Sequence, residues 1–260
     1  MKLSEDQVAE YSKNGFLIVE SLLENNEVEV LRDQSEAVAT GQLTHISKES
    51  LQVEPAIATG DSQAQNYADS LRKMSHLAFR DKIFEAHARN PKILDIVESI
   101  LGPDFKLYQD QVFMKPPRVG SRQRYHQDAT AGFHIDPPDQ MVTCWTALDD
   151  STMENGCLWM LPGTHKIGPL DESGWDKYES KFQNGELLDE RPIVMKAGGC
   201  SFHHSFILHS SRVNLSDRRR RGYATHYVSS RCRNIGTPED YEKYGKDAML
   251  VRGKSFPGHI

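Results

Sequence analysis

Four cysteines are few for 260 residues, and none is placed to work with another. Cys144, Cys157, Cys200 and Cys232 contain no C-x-x-C pair, which argues against a zinc ribbon or a dithiol redox motif. They read as reduced, mostly buried thiols. Long apolar runs are also missing. Phe16-Leu17-Ile18-Val19 is typical of the longest, far short of the roughly 20 residues a membrane-spanning helix needs. The opening Met1-Lys2-Leu3-Ser4-Glu5-Asp6 has no apolar signal-peptide core behind it, so a cytoplasmic location is expected. Basic charge is not in excess: 31 Lys+Arg stand against 37 Asp+Glu, a net −6. That argues against a general nucleic-acid binder, whose affinity rests on positive charge. The expected partner is a small molecule, not a nucleic acid or a membrane; oligomeric state is left open.

What is present is an ordinary globular balance, 38% hydrophobic and 26% charged, which excludes wholesale disorder. Residues 1–104 read as mainly helical. Ser4 with Gln7 forms a capping box, Gly15 is a stop, and a short strand runs from Phe16 to Glu20. A helix over 24–40 ends at Gly41. Residues 41–65 are polar and aperiodic, a surface loop or lid. Helices are expected over 67–79 and 91–101, the latter with Asn90 as cap, Pro91 in its first turn and Gly102 at its end. From Phe105 the segments become short and β-rich, with strands expected at 105–115, 122–128, 141–148, 157–161, 191–196, 200–204, 206–211 and 220–230. Pro116-Pro117, Pro137-Pro138, Asn155-Gly156, Pro162-Gly163 and Gly198-Gly199 separate them. The expectation is one mainly β domain over 1–260: a helical part (1–104), a double-sheet barrel core (105–233) and a C-terminal extension (234–260).

Most of the eleven histidines have a structural reading. His45, His76, His87 and His259 have no ligand-like neighbour. His203, His204 and His226 are strand histidines suited to the core or the barrel lining. His126-Gln127-Asp128 is different, because residues i and i+2 of a strand point the same way. With one distant histidine they would complete a 2-His-1-carboxylate face, the ligand set of non-haem Fe(II) oxygenases. H-x-D alone is weak, and His134-Ile135-Asp136 is a second match. The first is favoured because Asp136 runs into Pro137-Pro138, a loop signature, and because its spacing suits the downstream partners. Those lie between Leu208 and Arg221, where His209 is followed by a polar turn and then by Arg218-Arg219-Arg220-Arg221. On a strand, Arg218 and Arg220 would face one way and Arg219 and Arg221 the other. An inward arginine suits a bidentate grip on a carboxylate; the competing reading is a solvated basic run.

Taken in order, these segments resemble the phytanoyl-CoA dioxygenase (PhyH) family of Fe(II)/2-oxoglutarate oxygenases over nearly the whole chain. The likeness is carried by Gly15-Phe16-Leu17-Ile18-Val19, Asp110-Gln111-Val112-Phe113-Met114-Lys115-Pro116-Pro117 and His126-Gln127-Asp128. It continues in Cys144-Trp145-Thr146-Ala147-Leu148-Asp149-Asp150, Glu154-Asn155-Gly156-Cys157-Leu158, Leu161-Pro162-Gly163-Thr164-His165-Lys166 and the stretch from His209 to Arg220. The resemblance implies a double-stranded β-helix (a cupin-like jelly roll), with Fe(II) held by His126, Asp128 and His209. It implies 2-oxoglutarate and O2 as co-substrates, with Arg220 on the 2-oxoglutarate carboxylate, eleven residues past His209. Other co-substrate positions fall on Lys73, Gln111, Trp145 and Ser211. His165 reads as a loop brace, and Glu154 and Asn155 as turn-builders.

The implied activity is hydroxylation of an unactivated C–H bond with release of succinate and CO2. Arg118, Arg122, Arg124, Arg231 and Arg233 flank the site segments; they read either as surface charge or as contacts to a second anion. The favoured substrate is a small anionic metabolite, a short organophosphonate such as 2-aminoethylphosphonate being one candidate. An acyl-CoA is the alternative substrate, and a non-catalytic 2-oxoglutarate or metabolite-binding module on the same fold is the alternative function.

Overall fold

The first helix, α1 (Glu5–Asn14), starts where the capping box predicts: Ser4 Oγ accepts from Gln7 N at 3.2 Å, and Gln7 Oε1 accepts from Ser4 N at 3.0 Å. It stops at Gly15, whose φ of 82° is the left-handed conformation glycine adopts without strain. The computed structural model describes residues 2–187, 189–237 and 248–260. Residues 238–247 of the predicted C-terminal extension therefore lie outside the described residues.

The remaining helices are α2 (Asn25–Ala39), α3 (Pro55–Ala58), α4 (Lys82–Ala88), α5 (Pro91–Leu101) and α6 (Glu172–Gln183). The strands are β1 (Phe16–Val19), β2 (Leu51–Val53), β3 (Leu71–Ser75), β4 (Phe105–Phe113), β5 (Gln123–His126), β6 (Ile135–Asp136), β7 (Met141–Ala147), β8 (Leu158–Met160), β9 (Arg191–Ile193), β10 (Cys200–His204), β11 (His209–Ser211), β12 (Gly222–Ser229), β13 (Arg233–Asn234) and β14 (Met249–Arg252). Among the described residues, the large sheet runs β1-β10-β7-β12-β4-β3-β2, with β14 also on β4, and the small sheet runs β5-β11-β8-β9. A third pairing joins β13 to β6. The paired strands are antiparallel, the architecture of a jelly roll. No described helix is long and apolar enough to cross a membrane.

β7 is buried along its whole length because both of its faces are covered. Val142 and Cys144 turn outward into a core shared with Leu31, Ile93 and Val97 of the helices. Trp145 and Ala147 turn inward and pack with Met160, Ile193 and Ile207 between the sheets. Strand alternation thus divides one sequence between a helix-covered core and a cavity wall.

Three expectations need correction. The 67–79 segment is not a helix: a short 3-10 turn leads into β3, so Lys73 reaches the site from a strand that pairs with β4. The 41–65 segment is not wholly aperiodic, since it contains β2 and α3. The arginine run precedes β12 instead of opening it. The large sheet also takes strands from both sides of residues 105–233, namely β1, β2, β3 and β14.

Candidate active site

The cross-strand register builds the centre. β11 pairs with β5 so that His209 lies opposite His126, with ring centroids 4.2 Å apart. Asp128 lies two residues past the end of β5, not on the strand as expected but at the start of a 3-10 turn. Gln127 points away and staples that turn. Its amide nitrogen donates to Phe206 O (2.7 Å) and Gly168 O (2.9 Å), and its amide oxygen accepts from Leu170 N (2.7 Å). Asp128 therefore turns back toward the histidines: its Oδ1 is 3.6 Å from His209 Nε2 and 3.9 Å from His126 Nε2. Among the described residues these three form the one cluster whose donor atoms could share a metal ion, all within 4.8 Å of one another. The other H-x-D pair contributes nothing to it; Asp136 is exposed on β6.

The donor set suits a divalent cation. His126 Nδ1 donates to Arg124 O (2.9 Å) and His209 Nδ1 to Ile207 O (3.1 Å), which leaves each Nε2 lone pair free for a metal. Burial, then the neighbouring His209, pushes His126 down to about 4, and burial lowers His209 as well, so both rings are neutral at pH 7. Burial works against ionisation of Asp128, but His209, His203 and His226 around it hold the carboxyl well below its ordinary range. Its second oxygen is occupied too: Thr143 Oγ1 donates to Asp128 Oδ2 at 2.7 Å and accepts from His226 Nδ1 at 2.9 Å. Thus His226 lines the barrel, as its strand position suggested, and His203 Nε2 lies 3.4 Å from Asp128 Oδ2.

All the residues named from the sequence, His126, Asp128, His209, Arg220, Lys73, Gln111, Trp145 and Ser211, line one cavity of about 210 Å³. Lys73 Nζ donates to Gln111 Oε1 at 3.2 Å. The arginine run divides by partner. Arg219 pairs with Asp69 (2.6 Å) and Glu36 (2.5 Å), Arg221 pairs with Asp149 (2.8 Å), and Arg218 is exposed. Arg220 alone turns inward. It is 2% exposed, lies over Trp145 at 5.2 Å and donates Nη2 to Gly156 O (2.8 Å); its Nε is buried without a partner. Burial brings this guanidinium down to about 10, so it remains charged at neutral pH. A buried arginine with no carboxylate is a strong site for an arriving one. Gly222 leaves room for the Trp145 indole, with which a side chain there would collide.

The flanking arginines do not line the cavity. Arg122 grips Glu179 with two bonds (2.5 and 2.8 Å), Arg124 pairs with Asp176, and Arg118, Arg231 and Arg233 are exposed. His165 braces α1 through Ser12 O (3.2 Å), and Asn155 ties its own turn through Thr152 N (2.8 Å) and Asp150 O (2.7 Å). Sequence reasoning missed Glu54, Arg72, Lys115 and Thr143, all on the cavity wall. Thr143 was recoverable, two residues before Trp145 and so on the same strand face. The others reach the site through turns or packing that no local pattern announces.

The chain matches the family described as Phytanoyl-CoA dioxygenase (PhyH) over residues 11–222. It belongs to that family. The peroxisomal phytanoyl-CoA dioxygenase of Rattus norvegicus is 30% identical, covering 98% of this chain and 77% of that protein. The Homo sapiens enzyme is 28% identical, over 95% and 75%. Among solved structures, EctD from S. alaskensis with 2-oxoglutarate and 5-hydroxyectoine superposes with a TM-score of 0.79 at 18% identity, covering 96% of this chain and 87% of that one. The α-ketoglutarate-dependent carbocyclase SnoK gives 0.75 at 19%, covering 97% and 94%. These two share the fold. Family and triad together make this PhyH protein a 2-oxoglutarate-dependent dioxygenase that uses iron.

Proposed function

We propose that this PhyH protein hydroxylates a C–H bond of a small anionic metabolite. The observation that carries the reading is the charge of the cavity: Arg72, Lys73, Lys115 and Arg220 line it, against the carboxylates of Glu54 and Asp128 among its described lining residues. A ferrous ion raises the positive excess by two and 2-oxoglutarate removes two, so an excess of two positive charges remains for the substrate. His126, Asp128 and His209 would hold the iron. Arg220 and Ser211 would hold the far carboxylate of 2-oxoglutarate, with Trp145, Gln111 and Lys73 along its length. Bound together, iron and 2-oxoglutarate supply the oxidising chemistry, in which O2 is consumed, succinate and CO2 leave and C–H becomes C–OH.

The protein's own part is placement and dryness. Thr143, itself held by His226, fixes the second oxygen of Asp128, which would leave the first free to hold a metal. Phe133, Trp145, Leu158 and Ala224 give the cavity apolar walls. Its volume is below the roughly 300–1,000 Å³ of pockets for drug-sized ligands, and 2-oxoglutarate takes part of it. That favours a short substrate over a long acyl chain. A short organophosphonate such as 2-aminoethylphosphonate matches the size, and its phosphonate matches the sign of the charge. The test is Fe(II)-dependent succinate release across a panel of phosphonates, small carboxylates and acyl-CoAs. Stimulation by a phosphonate or small carboxylate is expected. Stimulation by acyl-CoAs alone would overturn the substrate reading, and 2-oxoglutarate binding without oxygen consumption across the panel would favour a binding module.

A further inference from the structure

Lys115 follows β4 and is folded inward, 6% exposed. Its ammonium donates to Ser121 O at 2.8 Å and to Ser211 Oγ at 3.0 Å. Among the described residues no ion pair engages it; the cavity's Glu54 is held by Arg72 at 3.6 Å. The surroundings are built around this side chain. Side chains at Gly120 or Gly156 would run into its methylenes, and Lys115 itself has a φ of 31°, a region residues with a side chain rarely occupy. Its carbonyl accepts from Asn214 Nδ2 (2.9 Å) and from the backbone N–H of Arg220 (3.2 Å). One residue thus anchors the arginine's backbone and sets a second cation beside the arginine's side chain.

We infer that Lys115 is a second cationic contact for the far carboxylate of 2-oxoglutarate, sharing it with Arg220 and Ser211. This rests on the co-substrate reading given above. Two buried cations against one wall repel each other until an anion comes between them. Consistently, burial and then the Arg220 and Arg72 guanidiniums hold the Lys115 ammonium well below its ordinary range, with Glu54 and Cys157 opposing. An arriving carboxylate relieves that repulsion and converts the pair into a clamp.

The test is equilibrium binding to the full chain loaded with Mn(II), by calorimetry, using 2-oxoglutarate and 2-oxopentanoate, which lacks the far carboxylate. Lys115→Met should weaken 2-oxoglutarate by about 10- to 100-fold, the range for losing a charged hydrogen bond, and leave 2-oxopentanoate unchanged. Lys115→Gln removes the charge while keeping an amide donor near Ser121 and Ser211; the same pattern is expected, which guards against a folding defect in the first variant. Equal loss for both ligands, or loss for neither, overturns the assignment of Lys115 and leaves the co-substrate reading standing. Wild-type protein that binds 2-oxopentanoate as tightly as 2-oxoglutarate overturns the far-carboxylate clamp and Lys115 with it.

Discussion

The two ends of the cavity are built by opposite means. At the His126–Asp128–His209 end, each Nδ1 is bonded to a carbonyl and the second aspartate oxygen to Thr143. Apart from His203 Nδ1, which is buried without a partner, the atoms left over are those that would face a metal. At the Arg220–Lys115 end, two cations are buried with carbonyl and hydroxyl partners and no carboxylate. The first end is largely satisfied within the protein and offers its remaining donor atoms to a cation; the second is frustrated until an anion arrives. Preorganisation of this kind places the folding cost in the protein before either ligand binds.

The largest expected effect comes from breaking the satisfied end. His126→Ala or Asp128→Ala should lower 2-oxoglutarate-dependent turnover by about 1,000-fold or more, because a bound metal supplies several kcal/mol of catalysis. Metal titration should show the site lost in both. Full turnover in either variant would place the metal elsewhere. At the opposite end, Arg220→Lys keeps the charge but loses the planar fork and its contact with Trp145. The 2-oxoglutarate KM should rise about 10- to 100-fold with metal affinity unchanged. An unchanged KM would move the clamp to another residue.

How much of this was legible differs between the same two ends. His126 and Asp128 could be singled out from residue type and spacing, and the family resemblance completed the triad with His209, even though Asp128 proved to lie in a turn. Arg220 could be named from the family resemblance, but its isolation from carboxylates could not. That depends on Asp69, Glu36 and Asp149 taking up Arg219 and Arg221, which is long-range information. In the fold, α5 and β10 were read to the residue, because Asn90, Pro91 and Gly102 bracket one and Gly198-Gly199 precedes the other. Leu71-Arg72-Lys73-Met74 consists of good helix formers, yet pairing with β4 makes it a strand. The apolar stripe Trp175, Tyr178, Phe182 signals α6 plainly and was passed over.

Acid separates the cavity from the core behind it. His87, on α4, stacks near Tyr223 at 4.8 Å and is pushed down to about 4 by burial. The unfolded chain takes up this proton near pH 6.5 and the folded chain only near 4. His87 therefore contributes stability above pH 6.5 that is lost as pH falls toward 4, about 2 kcal/mol by pH 5. Asp110, raised to about 6 by burial, acts in the opposite sense, since the folded chain holds a proton that the unfolded chain releases. With the metal site saturated, thermal melts should lose stability from pH 7 to 5, and His87→Gln should flatten that slope. An unchanged slope would assign the acid sensitivity to other buried histidines, such as His204 and His226, which burial also pushes down to about 4.

The smallest effect tests how the satisfied end is held. Thr143 is the single hydroxyl between Asp128 Oδ2 and His226 Nδ1. Thr143→Val keeps the shape and removes both hydrogen bonds, freeing Asp128 to rotate and leaving His226 Nδ1 buried without that acceptor. Changes to such supporting partners cost 10- to 100-fold in metal affinity, and the lower figure, about tenfold, is expected because His203 still approaches the same oxygen at 3.4 Å. The KM for 2-oxoglutarate measured at saturating metal should stay put, since the far end is untouched. A variant that raised this KM and left metal affinity alone would mean that Thr143 serves the anion end, and the division of the cavity into two independently built ends would fail.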